Sequence, residues 1–153
     1  MAPAIERQTP GMQLSPRLES IVLKSGLQLG ALSDLDRLLV LALASCAIGP
    51  GKSLREYEVN QHLLDGLADV GQMLHTDHVE LRRWLVDSGL IARDDWGHAY
   101  IRRPAQVDQT RQILGTTDAL GLASAVRSAR VAAQSVRLAR RRAFESRRSS
   151  TAA

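Results

Sequence analysis

The chain has a single cysteine, Cys46, and only five aromatic side chains in 153 residues: Tyr57, Trp84, Trp96, Tyr100 and Phe144. One thiol excludes an internal disulfide and a cysteine-based zinc cage, and it suits a reducing compartment. Scarce aromatics leave the core to Leu, Val, Ile and Ala, which favours helices. Long apolar runs are lacking as well. The longest, LLVLALASCAI from Leu38 to Ile48, falls far short of the roughly 20 residues a bilayer crossing needs and reads as a buried helix. The N-terminal MAPAIERQTPGMQ has no apolar stretch before a small-residue cleavage site, so it does not resemble a secretory signal. The expectation is a cytoplasmic protein with no membrane partner.

The formal net charge of +4 conceals a polarity along the chain. From Lys52 to Arg103 there are seven basic and nine acidic residues, whereas from Gly121 onward eight arginines face one acid, Glu145. Affinity for a polyanion therefore has to come mainly from the C-terminal segment.

Four segments follow from pattern and punctuation. Residues 1–29 read as a flexible arm, Met1 to Gln13, and a short helix that Ser15 caps and Pro16 opens. Residues 30–104 hold the main domain. Ser33 caps a helix running to about Cys46, and a second helix from Leu54 to Val70 aligns Val59, Leu63, Leu67 and Val70. A third helix, capped by Thr76 or Asp77, turns Leu81, Trp84 and Leu85 to one side and ends at Ser88-Gly89. Leu90 to Ala92 and Ala99 to Arg102 then flank the turn residues Asp95, Trp96 and Gly97 as a hairpin. Residues 105–120 read as a polar linker that Pro104 sets off. In residues 121–153 the stripe Leu122, Val126, Ala129, Ala133, Val136 opposes Arg127, Arg130, Arg137 and Arg141. This is a basic amphipathic helix, followed by a disordered ESRRSSTAA.

The order predicts a mainly α fold: a winged helix-turn-helix of three helices plus a β-hairpin wing, with an N-terminal helix and a basic C-terminal helix. EYEVNQHL at Glu56 to Leu63, DHVELRRWLVDSGLIAR at Asp77 to Arg93 and the hairpin from Gly97 to Tyr100 resemble the bacterial domain of unknown function 2087 family. The resemblance covers about Arg55 to Arg103. Tyr57 stands where a lysine is common, and Ser88 where a tyrosine is frequent. The family implies a winged-helix-like module with suspected transcriptional roles and no established catalytic residues.

Candidate chemistry is sparse. GKS at Gly51 to Ser53 lacks the glycine a phosphate loop needs five residues earlier, where Cys46 stands. His75 and His78 lie three apart near Asp77 and Glu80, but a metal would still need further ligands brought in by folding. Asp94 and Asp95 read as solvated turn residues. With no Cys-His pair in context and no nucleophile elbow, neither enzyme activity nor a cofactor is expected.

What the pattern favours is nucleic-acid binding, to DNA rather than RNA. Arg83, Arg93, Arg102 and Arg103 would make contact from helix and wing, while Arg127, Arg130, Arg137, Arg140, Arg141 and Arg142 would grip phosphates. Arg83 lies between Glu80 and Asp87, within reach of both, and Arg82 points toward a carboxylate such as Glu58. The acids around Arg83 suit a second reading, a module docking on RNA polymerase or the ribosome. The apolar C-terminal stripe also allows a homodimer.

Overall fold

The computed structural model describes residues 12–152. The expected arm lies outside the described residues except for Met12 and Gln13, as does Ala153.

Local chemistry sets the helix starts. Helix α1, Pro16–Val22, begins where the Ser15 hydroxyl accepts from the Leu18 N–H at 3.3 Å, with Pro16 in the first turn. Helix α2, Asp34–Ser45, is capped by Ser33, whose hydroxyl accepts from Asp36 N–H at 3.2 Å. Helix α3 spans Glu56–Ala68, and helix α4, His78–Asp87, starts at Asp77, which accepts from Glu80 N–H at 2.8 Å. Strands β1, Ala92–Arg93, and β2, Tyr100–Ile101, pair antiparallel with Ala92 opposite Ile101. Gly97 turns the hairpin at φ +72°, a conformation side chains disfavour.

Two single bridges tie this frame together. Leu54, just ahead of α3, exchanges both backbone hydrogen bonds with Tyr100 at 2.8 Å, so the approach to α3 adds to the hairpin. Leu27 pairs in parallel with Leu74 and fixes the loop before α4.

One aliphatic core results. Val40, Leu41 and Leu43 of α2 meet Val59 and Leu63 of α3 and Leu81 and Leu85 of α4, with Leu90, Ile91 and Tyr100 closing the hairpin end. α1 contributes Leu18, Ile21 and Val22 from the other side of α2. Tyr100 is the one buried aromatic of the core; Trp84 packs at its edge, with the Arg37 guanidinium 4.8 Å over its ring.

Two segments depart from expectation. Most of the linker expected over 105–120 is helix α5, Pro104–Leu114, packed on α2. Pro104 does not end the hairpin module but opens this helix, and Gly115 closes it at φ +77°. The expected disordered end is also helical: α6 runs Ala119–Thr151, 33 residues, or roughly 50 Å at 1.5 Å per residue. Ala and Arg are strong helix formers, and an Arg141–Glu145 pair at 3.1 Å supports the last turns. Among the described residues no helix is long and apolar enough to cross a membrane.

Leu85 is fully buried at the junction of α4 with α2. Leu85→Ala is expected to lower unfolding stability by about 2–5 kcal/mol, measured by urea denaturation followed by circular dichroism.

Candidate nucleic-acid interface

The arginines expected to act together divide into two groups once folded, those that hold the structure and those left on its surface. Arg102 belongs to the first. On β2 the side chains alternate, so Arg102 follows Tyr100 inward; it is 4% exposed and donates to Ile48 O at 2.9 Å and to Thr110 Oγ1 at 3.2 Å. It thereby joins the end of α2 to α5, and its burial presses its pKa below the usual guanidinium value. A contact from Arg102 to an external ligand, as expected from sequence, is excluded by this position.

Arg130 is likewise drawn in. It stands one turn beyond the buried Val126 and donates to three carbonyls: Val22 at 3.2 Å, Asp69 at 2.6 Å and Val70 at 2.8 Å. Desolvation lowers its pKa. Arg127, one residue beyond Val126, makes a two-point ion pair with the Asp69 carboxylate, one bond of it 3.0 Å. These two arginines clamp the root of α6 to the α3–α4 connection; Arg130 is taken up by backbone carbonyls, while the Arg127 side chain stays 59% exposed beside Asp69. Arg82 pairs with Glu56 at 3.1 Å and with Asn60, rather than with Glu58.

The second group remains outward. Arg83 is exposed on α4, and among the described residues it pairs with neither Glu80 nor Asp87. Glu80 is instead engaged by the Thr76 hydroxyl at 2.7 Å. Arg93 is exposed and lies across the hairpin turn, its guanidinium occupying the space a Cβ on Gly97 would need. Arg103 is exposed at the start of α5. On α6, every described residue beyond Arg130 except Ala133 is exposed, so about 30 Å of helix projects from the domain. It carries Arg137, Arg140, Arg141, Arg142, Arg147 and Arg148 against Glu145 alone. Arg147 and Arg148, in the segment the sequence predicts to be disordered, are helical.

Exposed aromatics accompany these cations. Trp96 at the hairpin turn is 77% exposed, Tyr57 at the start of α3 is 67% exposed, and Phe144 is 62% exposed. Three of the chain's few aromatics thus sit at the surface, each within four residues of an arginine. Arg148 lies 6.0 Å over the Phe144 ring. At 100° per residue, Arg137, Arg140, Arg141, Arg147 and Arg148 fall within about a third of the α6 circumference, with Phe144 near its middle. Among the described residues no group of three or more His, Cys, Asp or Glu side chains converges as a metal site would require.

The family model described as "Uncharacterized protein conserved in bacteria (DUF2087)" matches residues 33–102, from the cap of α2 to the end of the hairpin, so this segment is similar to that family. α5 and α6 lie beyond the match. Comparison with curated proteins and with solved structures returns no match.

Two outcomes test the division. Arg102→Ala strands the Ile48 carbonyl and removes the donor to Thr110 Oγ1, whose hydroxyl still donates to Gln106 O at 3.0 Å, and is expected to cost about 1–3 kcal/mol of stability by chemical denaturation. The Asp69 carboxyl is held below the usual carboxylate range, chiefly by its hydrogen bond from Arg127. A depressed folded pKa contributes stability that is present above the unfolded pKa and lost as pH falls through the folded one. The protection of amides at the α6 root, taken relative to their intrinsic exchange rates, should therefore fall with acidification across that interval in the native protein, and lose this dependence in Asp69→Asn.

Proposed function

We propose that this chain is a non-catalytic nucleic-acid-binding protein of the transcriptional-regulator class, with double-stranded DNA as its preferred target. In this reading α2, α3, α4 and the hairpin form a winged helix-turn-helix, with β1–β2 as the wing and the Leu54 bridge as its third strand. The projecting half of α6 supplies most of the affinity. The observation that carries the reading is this half-helix: six arginines, one acid and an exposed Phe144, held away from the domain by the clamp at its root. Arginines on one helical sector can follow a phosphate backbone and release its counterions. Arg83, Arg93 and Arg103 would add contacts from the domain.

A second reading is favoured by the outer face of α4. Val79, Glu80, Arg83 and Asp87 are all exposed there, a mixture with more acid than base that phosphates would repel. It suits docking on a protein assembly such as RNA polymerase or the ribosome, with α6 touching RNA or a partner.

The proposal is tested by binding of duplex DNA across a salt series. For the native chain, log K should fall steeply with log salt. The triple variant Arg137→Gln, Arg140→Gln, Arg147→Gln should lose about 0.9 of that slope for each phosphate contact removed, while its circular dichroism is unchanged. Weak, salt-insensitive binding by the native chain would sink the proposal. A native-lysate partner that survives nuclease treatment would support the docking alternative.

A further inference from the structure

Between the end of α2, the second half of α3 and the first turns of α6 lies a cavity of 260 Å³. Leu43, Leu63, Leu67, Leu74, Leu81 and Leu122 are among the residues of its wall. Cys46 lines it from the end of α2, and the exposed His62, Asp65 and Leu120 stand at its mouth. A wall of this kind offers water too few hydrogen-bond partners to favour an ordered cluster, and an apolar cavity of about 150 Å³ takes up benzene. The larger space here has room for a bicyclic molecule. At the mouth, one Asp65 oxygen accepts from Gln61 at 3.1 Å, and the other is left for a donor on the incoming molecule.

We propose that this cavity binds a small, flat, mostly apolar molecule of the indole class, with its N–H directed to the Asp65 carboxylate, and that occupancy tightens the root of α6. The coupling follows from shared residues. Asp69 and Val70 line the cavity, and the same two residues hold Arg127 and Arg130 of α6. Leu122, a wall residue, is also one of the two buried anchors of α6. A molecule filling the space therefore packs against the clamp itself and favours the clamped state over any in which the root opens. The inference stands apart from the nucleic-acid reading, because occupancy is measured with no nucleic acid present.

The test titrates indole into the full chain. Saturable binding is expected, with protection of Cys46, the chain's single thiol, from methyl methanethiosulfonate. At indole ten times its Kd, exchange of the 119–130 amides should slow about tenfold, since opening must first release the ligand. Ala123→Leu and Cys46→Leu each project added volume into the cavity and should abolish binding while leaving the far-UV circular dichroism intact. Absence of saturation up to the solubility of indole, or undiminished binding in either folded variant, would overturn the site. Should both variants fail to fold, unchanged modification of Cys46 at saturating indole overturns it in the native chain. Binding without slower exchange at 119–130 would overturn the coupling.

Discussion

One guanidinium, that of Arg130, gathers the carbonyls of Val22, Asp69 and Val70. Those three groups sit at the end of α1 and in the connection between α3 and α4, where backbone oxygens have no helical partner of their own. A neutral side chain at position 130 would leave the Val22 and Val70 carbonyls facing the underside of α6 unpaired, while Asp69 O would keep only the Gln72 N–H at 3.3 Å. A charge-assisted donor satisfies all three and makes α6 part of the domain at that point. Arg127 on Asp69 reinforces the junction from the exposed side. The junction does more than apolar packing could, since α6 buries only Leu122 and Val126.

The same economy recurs at Arg102, which spans the end of α2 and the middle of α5 where no apolar side chain could serve two polar acceptors. Burying a guanidinium is expensive, and desolvation is the main influence on the pKa of both Arg102 and Arg130. In a chain short of aromatics, long cations take over part of the joining of elements that large rings often perform. Arg102 and Arg130 are therefore internal joints, whereas Arg93, Arg103 and the arginines beyond residue 130 stay at the surface.

Much of the frame was legible in the residues. Ser15, Ser33 and the pair Thr76-Asp77, of which Asp77 is the cap, marked helix starts because their side chains can satisfy the first orphan amides, and Val59, Leu63, Leu81 and Leu85 marked the buried faces through helical spacing. The resemblance of about residues 55–103 to the uncharacterized bacterial family is matched by the family model, which extends back to residue 33. What misled was treating arginine as a surface residue by default. A signal was present in each case: Arg102 shares the inward strand face with Tyr100, and Arg130 stands one turn past Val126 on the flank of the buried stripe. α5 escaped because its inward positions, Val107, Thr110, Ile113 and Leu114, are few and partly polar. Pro104 and Gly115 nevertheless stand where a helix start and a helix stop belong. The cavity was beyond reach from sequence, since it is set by how far apart three helices come to rest.

The projecting half of α6 also shapes how the molecule moves through solution. A compact chain of this length has a radius of gyration of about 15 Å, and the rod beyond Arg130 extends about twice that distance. Drag on such a body is dominated by its long axis. A single copy should tumble anisotropically and elute from a sizing column ahead of globular standards of equal mass. Early elution of this chain is thus a property of one molecule's outline, and only a measurement of mass itself counts its copies.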